Sequence, residues 1–300
     1  MNRALVTGGA GLVGRFIVED LLAHGWTVTV AGRTAPPDDF YSRPIAFRPL
    51  VLDPQADFSA VLERQHAMVH AAFDHLPGRY RGGEGDDAAG FISSNLDATV
   101  ALLAAAKATG VSRAVFLSSR AVYGPHPPGT ILHETMPCQP DTLYGTVKLQ
   151  AEDAIATLAG QDFVPVSLRA TGVYGPAGRG QAHKWRALFD DYLAGAPVSP
   201  RAGTEVHGDD LAAAVRLVMT TGPDRVAGLA FNVSDICADT RDILAIVQRE
   251  TGCAHPLPAR ADKESVNAMD CARLGALGWR SGGWPLFEKT VAALARAHSA

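Results

Sequence analysis

At 300 residues the chain is long enough for two domains, or for one α/β domain with an appended lobe, and 47% hydrophobic residues are ample for a core. A formal charge of −4 and a pI near 6.2 leave no basic footprint, which argues against nucleic acid as the main ligand. Cys138, Cys237, Cys253 and Cys271 show no C-x-x-C spacing, so neither a metal centre nor a disulfide framework is indicated, and a reduced compartment is the default. The first apolar residues break at a glycine-rich turn rather than forming a signal peptide, and no run approaches the ~20 apolar residues of a membrane span. A soluble, cytoplasmic protein without a membrane partner is expected.

Ala4 to Thr7 predicts a short buried strand, followed by Gly8-Gly-Ala-Gly11-Leu-Val-Gly14 and an amphipathic run with Phe16, Ile17, Leu21 and Leu22 on one side. Strand, glycine turn and helix in that order suit a dinucleotide. Gly8 and Gly11 let the backbone approach a pyrophosphate, Leu12 and Val13 open the helix whose N–H groups and dipole face it, and Gly14 permits close helix–strand packing. Trp26 to Ala31 is the second strand. An acidic residue commonly follows it to bind the ribose hydroxyls, but Gly32-Arg33 stands there instead. A guanidinium in that place can grip a 2′-phosphate, so NADP(H) is favoured and NAD(H) is the alternative; Arg33 stacking on adenine or facing solvent is the plainer reading.

Ile45 to Leu52 is a third strand interrupted by Pro49, with Asp53 at its end placed to receive the adenine amino group. Ala67 to Ala72 is a fourth. Ala71 and Ala72 are small enough for a cofactor crossing the strand ends, and His70 reads as a packing residue rather than an acid–base group. Asp74 to Gly90, rich in glycine, reads as a loop near the strand ends. Its Arg79 and Arg81 are candidates for a lid that meets an anionic substrate, with a solvated loop as the competing reading. The helix over Asp87 to Thr109 carries Asn95 in an apolar face, where it is expected to bond backbone or water near the cofactor.

The chemistry is placed between Ala114 and Lys148, where an apolar strand ends in Ser119 and a helix opens with Tyr144-Gly-Thr-Val-Lys148. Tyr and Lys four apart share a helix face, and a neighbouring cation favours phenolate. That lets the phenol give and recover a proton at a carbonyl or carbinol oxygen, to which Ser119 can also hydrogen-bond. A chance pair on a solvated helix is the bland alternative. Phe163 to Arg169 is a sixth strand. Glycine and proline then thicken around Tyr174-Gly-Pro, Arg179 and Pro197 to Gly203, where a substrate lobe fits, with Tyr174, Arg179 and Lys184 as substrate candidates; Lys184, Trp185 and Arg186 either line a pocket there or coat a helix. Val206-His-Gly-Asp-Asp210 opens a helix through Met219, with Asp209 or Asp210 as cap or dipole partner. Leu229 to Val233 is a strand, Asp239 to Thr251 a helix with a capping aspartate, and Leu286 to Ala297 a terminal amphipathic helix.

With Gly8/Gly11/Gly14, Ser119, Val122-Tyr-Gly124, Tyr144/Lys148, Tyr174-Gly-Pro176 and Val206-His-Gly-Asp-Asp210 in order, the chain resembles the extended short-chain dehydrogenase/reductases. More narrowly, it is similar to their NAD(P)-dependent epimerase/dehydratase group. The resemblance implies a doubly wound, mostly parallel Rossmann sheet over residues 1–170 and a smaller substrate lobe over 171–300, with segments near 204–235 returning to the first domain. It also implies Tyr144 as proton shuttle, Lys148 as ribose ligand, Ser119 as partner of the substrate oxygen, and a homodimer on a four-helix interface.

Departures from the family pattern narrow the reaction. Ser119-Arg120-Ala121 has no carboxylate where the dehydratases carry acidic residues, and Arg120 becomes a substrate candidate instead. Gly203 occupies the place of an arginine that clamps a diphosphate in nucleotide-sugar members, and Arg260-Ala-Asp262 only partly echoes a second. The expected function is hydride transfer between nicotinamide and a small polar or sugar-derived substrate. The alternatives are a nucleotide-sugar epimerase that keeps its cofactor, and a non-catalytic dinucleotide sensor, for which Ser119, Tyr144 and Lys148 would be superfluous.

Overall fold

The computed structural model describes residues 2–76 and 82–298. Among them seven parallel strands form one sheet: β1 (Arg3–Thr7), β2 (Thr27–Gly32), β3 (Ala46–Pro49), β4 (Ala67–His70), β5 (Arg113–Ser119), β6 (Val164–Ala170) and β9 (Ala230–Val233). Their order is β3-β2-β1-β4-β5-β6-β9, so the direction of winding reverses between β1 and β4. The central strands are covered on both faces, which is why they read as continuous apolar runs. Alternate residues go to opposite layers: Ala4 and Val6 pack with helices α1 (Leu12–Ala23) and α5 (Gly208–Thr220), whereas Leu5, Met68 and Phe116 pack with α2 (Ala88–Ala108) and α3 (Leu143–Thr157).

The third strand is shorter than its apolar run. It ends at Pro49, which has no N–H to continue the ladder and is tolerated because β3 is the sheet's edge. The fourth stops at His70, since Ala71 and Ala72 turn toward the glycine loop: the Ala71 N–H donates to the Thr7 carbonyl (3.2 Å) and the Ala72 N–H to Thr7 Oγ1 (3.3 Å).

Contrary to the sequence expectation, α2 is by length and composition apolar enough to cross a membrane. Its place explains the composition: Ala98, Leu102, Leu103 and Ala106 lie on the sheet, and a π-helical stretch, Ser93–Asp97, buries the polar Asn95.

A second sheet of three strands, β7 (Gly172–Tyr174), β8 (Ala202–His207) and β10 (Ile236–Asp239), has the order β10-β8-β7. It corrects the helix expected from Val206, because Val206 and His207 finish β8 and α5 starts at Gly208. The cap is His207, whose Nδ1 accepts the Asp209 N–H (3.1 Å); Asp209 and Asp210 lie in the first turn, facing the positive dipole end. Helices α4 (Arg186–Leu193), α6 (Thr240–Thr251) and α7 (Gly283–His298) build a separate core around Trp185, Phe189, Leu244, Val247, Phe287 and Val291. Asp239 caps α6 in a reciprocal pair with Asp242.

Candidate active site

The sheet order sets the candidate residues side by side. Asp53 after β3, Arg33 after β2, Gly8–Gly14 after β1, Ala71-Ala72 after β4 and Ser119 ending β5 follow one another along the carboxyl edge. Four strand spacings separate the ends of that row, about 19 Å, a span fit for an extended dinucleotide crossing the reversal point.

Two features there fit a pyrophosphate. Gly8 has φ +68°, and a Cβ on it would sit 2.6 Å from the Ala72 nitrogen, so this turn has no room for a side chain. A Cβ on Gly14 would stand 2.2 Å from the Gly8 carbonyl oxygen, so only glycine lets α1 begin this close to β1. Gly11, at the N-cap, offers no side-chain acceptor, leaving the first N–H groups of α1, over Leu12 and Val13, for an anion.

At the β2 end of the row, Arg33 Nη1 pairs with Asp74 Oδ1 at 3.0 Å, with both side chains substantially exposed. Asp53 is exposed, and its Oδ1 accepts the Gln55 N–H (2.9 Å). Asn95 is buried and spends its amide on backbone: Oδ1 accepts the Asp74 N–H (2.7 Å), and Nδ2 donates to the carbonyls of Asp74 (2.7 Å) and Phe91 (3.0 Å). Its bonds go to backbone, as expected of a polar residue in that apolar helix face, and they fasten the Phe73-Asp74 segment. His70 is sealed between Thr7 Oγ1 (2.7 Å) and Thr99 Oγ1 (2.9 Å), and burial, with Lys148 nearby, lowers its pKa to about 3. It is therefore a neutral packing residue.

At the other end of the row, Thr142 caps α3 by accepting the Gly145 N–H at 3.1 Å. A Cβ on Gly145 would meet the Ala121 carbonyl oxygen at 2.6 Å, so glycine lets the start of α3 press against the turn Arg120–Tyr123 that follows Ser119. Ser119 Oγ caps that turn by accepting the Ala121 N–H (3.2 Å). Tyr144 is half-buried, and Lys148 is buried with Nζ 5.9 Å from the Tyr144 ring centre and donating to the Leu117 carbonyl (2.7 Å). Burial lowers the Lys148 pKa to about 7, against an upward pull from Glu152.

Glu152, one turn beyond Lys148, was not foreseen, although the repeat of four from Tyr144 through Lys148 marks it as lying on the same face. It accepts from Ser118 Oγ and forms a buried fork with Arg169, whose Nε and Nη2 lie 3.0 and 2.7 Å from Oε2. The Arg169 guanidinium stands 4.9 Å from the Tyr123 ring centre, and the Tyr123 hydroxyl donates to Asn232 Oδ1 (2.7 Å), so β5, β6, α3 and β9 are locked together behind the lysine. Phe73, also unforeseen, packs edge-on to Tyr144 with ring centres 5.1 Å apart.

The residues proposed for substrate scatter. Arg120 donates through Nε (3.1 Å) and Nη2 (2.9 Å) to the Asn267 carbonyl, tying the serine turn to the lobe. Lys184 pairs with Glu205 over Gly172. Arg179 pairs with Asp39 in the loop after β2, and Gln181 nearby donates to the Ala10 carbonyl (2.7 Å), so this segment lies over the glycine turn and not beside Ser119. Tyr174 is fully buried against Trp185, His207 and Phe287, a core residue of the lobe rather than a ligand contact. Arg79 and Arg81, and the lid reading built on them, lie outside the described residues. No cluster of metal-ligating side chains occurs among the described residues.

Residues 4–234 match the family described as NAD dependent epimerase/dehydratase. A UDP-glucose 4-epimerase of Corynebacterium glutamicum is 33% identical over 190 residues, 59% of this chain and 54% of that protein. A dTDP-6-deoxy-L-talose 4-dehydrogenase (NAD(P)(+)) of Kitasatospora kifunensis is 32% identical over 154 residues, 51% of this chain and 46% of that protein, so the chain spans about half the length of these relatives. The solved Thermus thermophilus UDP-glucose 4-epimerase in complex with NAD is 28% identical, superposes with a TM-score of 0.79 and covers 98% of this chain and 99% of its own.

Proposed function

Since the chain belongs to the NAD dependent epimerase/dehydratase family, we propose that it is an NAD(P)-dependent oxidoreductase acting on a carbinol or carbonyl carbon of a small polar or sugar-derived substrate. The observation that carries this reading is the Tyr144–Lys148 pair beside the Ser119 turn, at the end of a row of strand termini that starts with a glycine cradle. Bound along that row, the nicotinamide would accept or return hydride. Tyr144 moves the proton at the substrate oxygen, Ser119 hydrogen-bonds the same oxygen, and Lys148 holds ribose hydroxyls while favouring the phenolate. The backbone of Gly8 to Gly14 receives the pyrophosphate.

A second reading, favoured by the names of the relatives, is a nucleotide-sugar epimerase that oxidises and re-reduces one carbon with a cofactor it retains. NAD is the preferred cofactor in both readings, supported by the NAD of the Thermus neighbour and by Asp74, whose carboxylate neutralises Arg33 and would repel a 2′-phosphate. The NADP reading rests on Arg33 and on the NAD(P)(+) in the name of the Kitasatospora relative. The outward face of α2, where Ala104 and Ala108 are exposed, supports a homodimer joined through α2 and α3. The deciding experiment releases any copurified nucleotide, identifies it by mass, and follows absorbance at 340 nm with UDP-glucose, UDP-galactose and simple sugar alcohols. Net absorbance change with exchangeable cofactor supports the first reading. Interconversion of the two UDP-sugars with retained NAD and no net change supports the second, and protein that takes up no dinucleotide would sink both.

A further inference from the structure

We propose that Phe73 is a positioning residue for the Tyr144–Lys148 couple: its ring face holds the lysine as an ammonium, while its edge fixes the phenol ring. The Lys148 nitrogen lies 4.3 Å from the centre of the Phe73 ring and 4.7 Å from that of Phe116, with the Leu117 carbonyl at 2.7 Å. Phe73 also meets the Tyr144 ring at 79° and the Phe91 ring at 78°, with centres 5.1 and 5.4 Å apart. The ring does not drift, because Asn95 clamps both the N–H and the carbonyl of the next residue, Asp74, from the π-helical turn of α2.

The titratable groups around the lysine leave the ring faces a substantial task. On its own helix, Tyr144 lies one turn before it, and Glu152 one turn after pulls its pKa upward, though that carboxylate is shared with Arg169 of β6 and Ser118 of β5. On β4, His70 is neutral and adds no negative charge. Burial without compensation would discharge the amine, and a neutral lysine cannot favour phenolate. A cation over an aromatic face in a desolvated site is stabilised enough to raise its pKa by about half to one and a half units. Phe116 is fixed in the sheet core, whereas Phe73 stands on the connection between β4 and α2, so Phe73 is the partner that can be changed without opening the sheet. The consequence for turnover rests on the oxidoreductase reading; the ammonium contact itself does not.

The test is an NMR titration of the free protein labelled with ¹³C-lysine, with the Lys148 signal identified by its loss in Lys148→Met. Phe73→Leu and Phe73→Met, which keep bulk but remove the ring, are expected to lower the Lys148 pKa by about half a unit or more. Phe73→Tyr is expected to keep it. An unchanged or raised value in whichever of the two ringless variants keeps the native circular dichroism overturns the proposal, since the ring would then only fill space or exclude water. No substrate enters this measurement, so a wrong reaction class would leave its outcome readable.

Discussion

Tyr144→Phe removes one oxygen from a half-buried ring that stays packed against Phe73, so its effect reports on proton transfer rather than on folding. Turnover should fall at least ~10²-fold with cofactor affinity nearly unchanged, as expected for loss of a general acid–base group. Steady-state rates beside a dinucleotide titration check this, and comparable turnover would remove Tyr144 from the mechanism. Arg33 and Asp74 form a second residue-scale test, because the pair is exposed and its parts act oppositely on a 2′-phosphate. Asp74→Asn should tighten NADP(H) by about tenfold relative to NAD(H), one unit of charge removed near a screened phosphate; an unchanged ratio of dissociation constants would mean that the adenosine phosphate does not reach this corner. Tyr144, Lys148 and the glycines were legible because helical spacing and turn chemistry are local. Phe73 and Glu152 were not, since each matters only through side chains brought from other strands.

Among the elements, the junction of α5 with α7 carries the clearest pH dependence. Asp210, in the first turn of α5, is buried and accepts the Gly282 N–H at 3.0 Å, while its own carbonyl accepts from Trp279 Nε1 (2.9 Å). Burial, chiefly, raises its pKa to about 6 from the usual 3.8. The folded protein therefore binds more protons than the unfolded chain between those two values, so this group makes stability fall as pH rises through that window, by up to about 3 kcal/mol. Asp210→Asn keeps an acceptor for Gly282 and removes the charge. It should match the parent near pH 4 and exceed it near pH 8, and urea midpoints at the two values that differ equally would dismiss the ionisation. That α5 begins at Gly208 rather than Val206 belongs to the same scale: Val206 and His207 pair with Val173 and Tyr174 in a sheet whose strands come from three distant segments, so no local period announces it.

For the whole molecule, self-association is the property the surface of α2 makes testable. Sedimentation should give twice 31.5 kDa, and Ala104→Arg, a good helix former on the outward face, should give monomer with native circular dichroism. A dimer that survives this change would have its interface elsewhere. Everything that depends on neighbours along the chain could be read from the letters alone: the buried strands, the glycine turn with its helix, the four-residue step from phenol to amine, and through their order the family. What required the folded chain was partnership across it. Arg179 goes to Asp39, Tyr174 into the core of the lobe, Asn95 onto the backbone of Asp74, and Arg33 onto the Asp74 carboxylate. The physical reason is that backbone conformation is set by a few adjacent residues, whereas a long polar side chain binds whichever counter-group the packing of distant segments sets within its reach.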